Sequence, residues 1–425
     1  MKKVIIAGGG WAGCAAAIAA RKKGAEVTLL ERTDMLLGAG LVGGIMRNNG
    51  RFTATEEMIA MGGGDLFDIS DKVSRHHNVE FPGHKHASLY DIAEIEPAVK
   101  DHLLEMGVEI HLTTTAANVE VSGSKISKIT TDNGMSLDAD VFIDTTGTAG
   151  PQKNCNKYGN GCAMCIFRCP SYGARISITG KAGVQEMIGE KPDGTIGAMS
   201  GSCKLFKESL SKDIVQKLDE EGVVVAPIPE KLRKGEDALS KKACQQYALK
   251  EYAENVILLD TGHAKLMSPF FPLEALRMIP GFEKARYEDP YAGGLGNSMR
   301  YMALAPRDNT LKVEGMDNLF CGGEKAGLLV GHTEAIVTGT LAGYNAAMKA
   351  EGKELLELPK ETMCGESIAH VNEKMQTLEG RGKKYTFSGS VLLDHLKEGE
   401  YYTTDVKRIQ ERIEAVGLTG VFEQQ

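Results

Sequence analysis

Four cysteines that stand close together in the middle of the sequence are the side chains best suited to metal chemistry. Their spacing is C-x6-C-x2-C-x3-C, a proline follows the last one, and they are Cys155, Cys162, Cys165 and Cys169. Two glycines in residues 158–161 would let the first cysteine fold back towards the other three. Four soft thiolates in one short segment can hold a [4Fe–4S] cluster or a zinc ion.

The spacing of the last three cysteines favours an iron–sulfur cluster over zinc. The segment C-x2-C-x3-C-P resembles the end of the cysteine run of bacterial ferredoxins. Zinc sites more often combine two C-x2-C pairs, or cysteine with histidine, and no histidine stands near this segment. We therefore expect a [4Fe–4S] cluster, with zinc or redox-active or plain thiols as the alternatives and Cys203 as a spare ligand.

A glycine-rich turn near the N-terminus predicts a dinucleotide site. Residues 4–7 have the pattern of a buried strand, and the alanine-rich residues 14–23 predict a helix. Between them Gly8, Gly10 and Gly13 have the spacing G-x-G-x-x-G. These glycines allow a tight turn, close approach of a pyrophosphate and close packing of helix on strand. The N–H groups of the helix N-terminus would then face the phosphates.

An acidic residue in register with this turn narrows the choice of nucleotide. Residues 27–30 predict a second strand, and Glu31 stands at its carboxyl end. A carboxylate at this place accepts hydrogen bonds from ribose hydroxyls and disfavours a 2′-phosphate. FAD or NAD is therefore expected, with the neighbouring Arg32 among the contacts.

Two later segments favour FAD over NAD. Residues 141–143 predict a buried strand that ends towards Thr146 and Gly147, after a hairpin over residues 119–136 with a turn at 132–134. Val119 in that hairpin is included among the expected cofactor contacts. The arrangement resembles the return strand of flavoproteins of the glutathione-reductase type.

The second of these segments is N-L-F-C-G-G-E at residues 318–324, followed by a predicted helix over residues 333–348. Reduced flavin carries negative charge near N1 and C2=O, which a helix N-terminus stabilises. An NAD-only domain would rarely need this piece. The cofactor contacts expected here are Gly323, Glu324, Gly331, His332 and Thr333.

A glycine-rich loop over residues 33–64 is expected to lie against the isoalloxazine ring. Gly40, Val42 and Arg47 are its predicted contacts. Arg47 is equally well interpreted as a substrate or flavin ligand or as a surface arginine. Arg47 and His332 are the only catalytic candidates, because no convincing acid or base stands out.

With these segments in place, the chain resembles the folate- and FAD-dependent tRNA uracil-5 methyltransferases and, more loosely, their larger relatives that modify the tRNA wobble uridine. The resemblance rests on L-R-M-I-P-G-F-E at residues 276–283, on residues 318–324 and on residues 331–347. The N-terminal 60 residues match more weakly. The resemblance implies FAD, folate and tRNA as cofactors and partners.

The sequence departs from that family at its reactive thiols. The family has a cysteine just after the Leu-Val pair, where this chain has Gly43 and Gly44, and no cysteine occurs in residues 269–274. The family also lacks a four-cysteine block. These departures favour a relative with a different substrate, and flavoenzymes of heterodisulfide-reductase type provide an analogy for FAD paired with iron–sulfur clusters.

The composition is that of an ordinary globular enzyme. Of 425 residues, 42% are hydrophobic and 25% charged. The formal net charge of −8 argues against a broad phosphate-binding face, so nucleic acid is not expected as a partner, although a local basic groove stays open. The longest apolar run, residues 4–20, is broken by glycines, so we expect no membrane span and a cytoplasmic protein. A homodimer stays open.

The predicted fold is α/β, with a Rossmann-like FAD domain built on a mostly parallel sheet. Residues 1–150 and 301–350 would form this domain, residues 151–300 an inserted α+β substrate and Fe–S domain, and residues 351–425 a helical C-terminal region. Within the insertion, residues 223–228 predict an edge strand containing Pro227, and residues 231–258 a helix. The histidines at 76, 77, 84 and 86 predict a solvated loop rather than a metal site.

The first functional hypothesis is an FAD-dependent oxidoreductase with a [4Fe–4S] cluster. Electrons would pass between an external donor such as ferredoxin or NAD(P)H, the cluster, the flavin and a small organic substrate. The alternatives are a folate- and FAD-dependent methyl-transfer enzyme acting on tRNA, and a flavin/iron–sulfur electron-transfer or sensor protein.

Overall fold

The structure is a computed structural model. It describes residues 1–147, 172–173, 175–189, 198–199, 203–233, 245–267, 271–288, 299–300 and 303–423. The four-cysteine segment at residues 155–169 lies outside the described residues, so its assignment as a metal centre stays a prediction.

The described strands and helices are numbered along the chain. The strands are β1 Lys3–Ala7, β2 Glu26–Leu30, β3 Ile45–Met46, β4 Ser74–Phe81, β5 His84–Tyr90, β6 Glu109–His111, β7 Ala116–Ser122, β8 Lys125–Thr131, β9 Ser136–Leu137, β10 Val141–Asp144, β11 Met187–Ile188, β12 Ala198–Met199, β13 Cys203–Leu205, β14 Val223–Pro227, β15 Asn255–Asp260, β16 Ala264–Leu266, β17 Met299–Arg300, β18 Ala303–Leu304 and β19 Leu319–Cys321. The α-helices are α1 Trp11–Lys22, α2 Gly50–Ala60, α3 Asp65–Lys72, α4 Ile95–Glu105, α5 Ile178–Lys181, α6 Lys212–Glu221, α7 Lys250–Glu254, α8 Leu273–Leu276, α9 His332–Ala350, α10 Met363–Met375, α11 Leu378–Arg381, α12 Ser390–Glu398 and α13 Val406–Ala415. Short 3-10 turns cover Gly38–Gly40, Lys207–Ser209, Glu230–Leu232, Gln245–Tyr247 and Gly323–Ala326.

A five-stranded parallel sheet with the order β19-β10-β1-β2-β6 forms the centre of the protein. Its strands β19, β10 and β1 are short apolar runs that are almost wholly buried, as parallel strands covered by helices require, whereas the edge strand β6 is partly exposed. β19 comes from the distant residues 319–321 and pairs with β10, so the sheet is assembled from separated segments, as the sequence predicts. The predicted α/β class with a Rossmann-like parallel sheet is confirmed.

Helices α1 and α9 pack against each other over this sheet through small residues. A Cβ atom on Gly339 would collide with the backbone of Ala12, and one on Gly343 with the backbone of Ala16. The two glycines stand four residues apart and therefore lie on one face of α9. Their missing side chains let the two helix backbones approach closely.

A second, antiparallel sheet with the order β13-β16-β15-β14 has its own apolar core, which includes Leu258 and Phe282. β14 is an edge strand and ends at Pro227, as predicted. The predicted helix over residues 231–258 is wrong. Within the described part of that range the only α-helix is the short α7, and Asn255–Asp260 form β15. The run N-V-I-L-L-D is buried as a strand between two neighbours, which its length and apolar continuity allow.

The four neighbouring histidines lie on the hairpin β4–β5, not in a solvated loop. His84 is only 2% exposed, and the hairpin packs on the second sheet through Phe81, Val79 and Ile257. The predicted hairpin over residues 119–136 is a three-stranded meander, β7-β8-β9, whose first turn is at Gly123 and second at residues 132–135.

The C-terminal region is largely helical, as predicted, and contains α10 to α13. Within the part of the chain that the structure describes, no helix combines the length and apolarity needed to cross a membrane.

Candidate FAD-binding site

The turn between β1 and α1 has the geometry that the glycine spacing predicts. Gly8 has a φ of +104°, and a Cβ atom there would lie 2.5 Å from the carbonyl oxygen of Thr145 at the end of β10. A Cβ atom on Gly13 would collide with the carbonyl oxygen of Gly8. Both glycines are therefore needed for the fold of the turn itself.

Gly10 differs from Gly8 and Gly13 because it faces open space. No described atom lies within 4 Å of the position where its Cβ atom would stand. Gly10 is also the N-cap of α1, and that helix has neither a side-chain cap nor an acidic residue in its first turn. An uncapped helix N-terminus beside an open backbone is the arrangement that binds a pyrophosphate.

Glu31 is held against this turn by hydrogen bonds. One carboxylate oxygen accepts from the backbone N–H of Gly9 at 2.8 Å. The other accepts from the N–H and the hydroxyl of Thr33 at 2.8 and 2.9 Å. The side chain is buried, at 7% exposure, and stands at the carboxyl edge of the sheet beside the fingerprint turn. This position fits the predicted ribose contact.

The return strand is locked by the fully buried Asp144. Its Oδ1 accepts from the N–H and the hydroxyl of Thr146 at 3.1 and 2.6 Å. Its Oδ2 accepts from the N–H and the hydroxyl of Thr179 at 2.9 and 2.7 Å. Thr145 donates to the carbonyl oxygen of Gly8 at 2.7 Å, so the predicted Thr146 and Gly147 stand beside the turn.

The third segment reaches the same place from β19. Gly323 has a φ of +65°, its N–H donates to the Thr338 hydroxyl at 2.9 Å, and a Cβ atom there would lie 2.9 Å from that of Ala12 in α1. Glu324 follows in the same 3-10 turn and is half-buried. The structure thus brings the three predicted segments together at the α1 N-terminus.

A buried ion pair stands at the start of α9, and sequence reasoning missed it. Arg51 Nε donates to both carboxylate oxygens of Glu334, at 3.2 and 3.1 Å. Glu334 also accepts from the Thr386 hydroxyl at 2.6 Å and the Phe387 N–H at 2.8 Å. Gly331 has a φ of +152°, and a side chain there would collide with this pair. Thr333, next in the helix, is fully buried.

His332 lies against the predicted flavin-side loop. Its Nδ1 is 3.3 Å from the carbonyl oxygen of Ile45, and side chains on Gly40 or Gly43 would collide with its ring. The ring also faces Trp11 at 5.8 Å between centroids. Trp11 Nε1 is buried and has no hydrogen-bond partner among the described residues. Since buried donors are normally paired, this N–H fits a polar ligand between the loop and α9.

Arg47 is largely buried and pairs with protein carboxylates, and its contact with flavin or substrate stays a prediction. Its guanidinium forms ion pairs with Asp71 at 2.7 Å and Glu56 at 2.5 Å, and its side chain is 13% exposed. It is therefore not a bland surface arginine, and its charge is already balanced by protein carboxylates. Two other predicted contacts also have structural partners. Arg32 donates to the carbonyl oxygen of Gly173 at 2.6 Å, and the side chain of Val119 packs in the main core.

A buried lysine that the sequence did not reveal reaches the flavin-side loop. Lys265 on β16 is 6% exposed, and its Nζ donates to the carbonyl oxygen of Val42 at 3.1 Å. Burial, together with the nearby Lys204, lowers the pKa of Lys265 to about 7. Lys204 pairs with Glu288, which also contacts His263. A lysine with such a pKa can donate or accept a proton near neutral pH.

Solved structures share this fold. Two crystal forms of Aquifex aeolicus GidA superpose with TM-scores of 0.63 and 0.62 at 15% and 16% identity. The superpositions cover 97% and 99% of this chain and 76% of the GidA chain in each case. The fold and the site together define an FAD-binding protein of the Rossmann-like class.

The sequence also matches the model of one protein family, which is described as Glucose inhibited division protein A. The match covers residues 3–268 and 264–354, a range that includes every segment of the site. The chain belongs to this family.

Curated relatives match over shorter stretches. A methylenetetrahydrofolate–tRNA-(uracil-5-)-methyltransferase of Prochlorococcus marinus is 35% identical over 111 residues, which are 25% of this chain and 22% of that protein. The protein of the same name from an Exiguobacterium species is 40% identical over 98 residues, 22% of this chain and 21% of the relative. These matches therefore span about a fifth of the length of the relatives.

Proposed function

We propose that this protein is an FAD-dependent enzyme that transfers a folate-borne one-carbon unit to a uracil base of tRNA. The observation that carries the proposal is that the residues matched by the family model include all three segments that meet around the open backbone of Gly10. The named activity of the matched relatives supplies the substrate class.

Different residues of the chain would bind different parts of FAD. The N-terminus of α1 and Gly10 would bind the pyrophosphate of FAD, and Glu31 the ribose. The N-terminus of α9, with Thr333 and His332, would face the flavin ring, and the 3-10 turn with Glu324 its ribityl chain. Bound FAD would supply hydride transfer at N5.

Lys265 is the best-placed proton donor or acceptor in the described structure. Its Nζ contacts the loop at Val42, and burial brings the pKa of the ammonium to about 7. Both protonation states are therefore populated at neutral pH, which is the condition for acid–base catalysis. The ion pairs of Arg47 with Asp71 and Glu56 leave that residue less suited to this role.

The described cysteines are poor nucleophiles. Cys14, Cys203, Cys321 and Cys364 are buried. Burial raises the pKa of Cys321 to about 12 and raises the pKa of Cys14 and Cys364 as well. Because the thiolate is the reactive form, a cysteine that attacks substrate would have to come from the remaining cysteines, which include the block at residues 155–169.

The direct test is transfer of label from 5,10-methylenetetrahydrofolate carrying ¹⁴C in its methylene group to an unmodified tRNA transcript, with NAD(P)H added to reduce the FAD. We expect labelled tRNA with the FAD-loaded protein, and none with Gly10→Ala, in which a methyl group fills the space for the pyrophosphate. Lys265→Met should retain FAD binding and lose most of the transfer. FAD-loaded protein that neither shifts tRNA in a gel nor transfers label would end the proposal.

The cysteine block favours a second candidate, an FAD-dependent oxidoreductase with a [4Fe–4S] cluster that takes electrons from a donor such as ferredoxin or NAD(P)H. Its support is the spacing of Cys155, Cys162, Cys165 and Cys169. Anaerobic purification should then yield about four irons and four sulfides per chain, and fewer after Cys162→Ser or Cys165→Ser. Stoichiometric zinc without iron would contradict it.

We also infer the division of the chain into three regions. Support for an FAD domain from residues 1–150 and 301–350 is the pairing of β19 with β10 in one sheet. Support for a separate unit within residues 151–300 is the second sheet with its own apolar core. The helices α10 to α13 support a distinct region over residues 351–425.

A further inference from the structure

Three side chains with metal-binding atoms meet in the C-terminal helices, away from the FAD-binding site. Glu366 and His370 stand four residues apart on α10 and therefore on one face of that helix. His395 comes from the last turn of α12. The potential ligand atoms of the three side chains all lie within 4.8 Å of one another.

Within this group Glu366 and His395 are paired with each other, whereas His370 is stacked on His395. His395 Nε2 lies 2.7 Å from Glu366 Oε1, a hydrogen-bond distance. The ring of His370 is stacked on that of His395, with centroids 4.0 Å apart and planes at 22°.

His370 brings a ring nitrogen within 4.8 Å of the potential ligand atoms of Glu366 and His395. A ring nitrogen of imidazole that carries no proton offers a lone pair to a metal ion. The edge-to-face contact with Tyr385, at 5.9 Å and 74°, orients the ring from its other side.

The helices hold these residues in a fixed frame. The start of α10 is capped by the Thr362 hydroxyl, which accepts from the N–H of Gly365 at 3.0 Å. α10 buries Ile368 and Val371, and α12 buries Leu392 and Leu396. The Glu366 and His395 side chains remain 14% and 35% exposed, so an ion could reach them from solvent.

We propose that Glu366, His370 and His395 form a binding site for a divalent transition metal, with zinc as the ion that two imidazoles and one carboxylate favour. Three protein ligands leave a fourth position for water or another ligand. The metal would tie α10 to α12 and stabilise the C-terminal region. The site does not depend on the proposed tRNA chemistry, and it lies beyond residue 354, where the family match ends.

The test is a zinc titration of the full-length, chelator-treated protein, read as bound zinc per chain and as the shift in Tm. The variants are His370→Phe and His395→Phe, which keep an aromatic ring in the stack and remove the ligand nitrogen. The matched control is His111→Phe, because His111 Nε2 also lies 2.7 Å from a glutamate oxygen, that of Glu109, with no third ligand described nearby. Zinc held by the cysteine block is common to all four proteins and cancels in the differences.

We expect wild type and His111→Phe to bind one zinc more per chain than either site variant. The affinity of this site should fall by more than about 10-fold in each site variant, and the zinc-induced rise in Tm should shrink with it. Circular dichroism of the zinc-free proteins checks that each variant is folded. Equal zinc content and equal Tm shifts in wild type, His370→Phe and His395→Phe would overturn the proposal.

Discussion

Helices α1 and α9 both have a glycine as the N-cap residue and pack on each other, yet their N-termini differ in how their polar groups are paired. The first turn of α1 has no capping side chain and no acidic residue, and its N-cap, Gly10, faces open space. The first turn of α9 contains Glu334, fully buried and paired with Arg51, and its N-cap, Gly331, has no room for a side chain.

This difference indicates that the N-terminus of α1 is available for ligand binding, whereas the ion pair at the start of α9 stabilises the fold. The α1 end leaves its backbone donors available to a ligand, which suits a phosphate group. At the α9 end the carboxylate of Glu334 is already satisfied by Arg51, Thr386 and Phe387, and this pairing holds the start of the helix beside the flavin-side loop. Changes at Gly10 should therefore alter FAD affinity, whereas changes to the Arg51–Glu334 ion pair should alter stability.

The largest expected effect is at α9. Glu334→Ala would remove the counter-charge that Glu334 supplies to the buried Arg51 and should lower the free energy of unfolding by about 3 to 5 kcal/mol. Glu351→Ala at the other end of the same helix is the control, because its ion pair with Lys353 is exposed to solvent and should contribute little to stability. Urea unfolding measures both, and similar losses in the two variants would remove the proposed asymmetry.

Two glycines of the α1 turn should separate stability from binding. Gly13→Ala forces a methyl group onto the carbonyl oxygen of Gly8 and should cost about 1 to 3 kcal/mol of stability. Gly10→Ala meets no described atom and has extended backbone angles, so stability should change by less than about 0.5 kcal/mol. The Kd for FAD in Gly10→Ala should nevertheless rise by more than about 10-fold, since a methyl group would hold the pyrophosphate off the backbone.

Flavin fluorescence titration of Gly10→Ala, beside urea unfolding of both variants, checks this pair. Wild-type FAD affinity in Gly10→Ala would show that the open backbone at this turn is not the phosphate site.

His84, which is linked to Arg51 through Asn48, should make the stability of the protein depend on pH. His84 Nδ1 is 2.9 Å from Asn48 Nδ2, and Asn48 accepts from Arg51. Burial, and then the charge of Arg51, lower the pKa of His84 from 6.5 to about 3. The unfolded chain therefore binds a proton below pH 6.5 that the folded chain does not bind until about pH 3. Stability is complete above pH 6.5 and should fall by about 1.4 kcal/mol per pH unit below it.

His84→Asn retains an acceptor for Asn48 and does not titrate. The difference in unfolding free energy between wild type and His84→Asn, measured at pH 7, 6 and 5, isolates the histidine from other titrating groups. Parallel pH profiles would show that His84 is protonated in the folded protein.

The smallest expected effect concerns Arg47 in the flavin-side loop. Arg47→Gln removes its ion pairs with Asp71 and Glu56 and should cost about 1 to 2 kcal/mol of stability. FAD affinity and the rate of label transfer should stay at the wild-type value. A fall in kcat with unchanged stability would show that Arg47 takes part in the reaction and does not act mainly through its structural ion pairs.

Local patterns predicted the parts of the fold and site whose cause is local. The strand–turn–helix around Gly8, Gly10 and Gly13 and the acid at Glu31 follow from turn geometry and short apolar runs. The helix assigned to residues 231–258 failed because a run such as V-I-L-L is compatible with a buried helix or a buried strand. Only its neighbours β14 and β16 made residues 255–260 a strand.

The sequence alone determined that a tight glycine turn exists, because Gly8 needs a positive φ and Gly13 has no room for a Cβ atom. It did not determine which charged side chains meet around the site. Arg51 meets Glu334 across 283 positions, and Lys265 meets Val42 across 223. The partner of a charged side chain depends on the path of the whole chain, so the tertiary structure decided that Arg47 pairs with Asp71 and Glu56 and that Lys265 is buried beside the flavin-side loop.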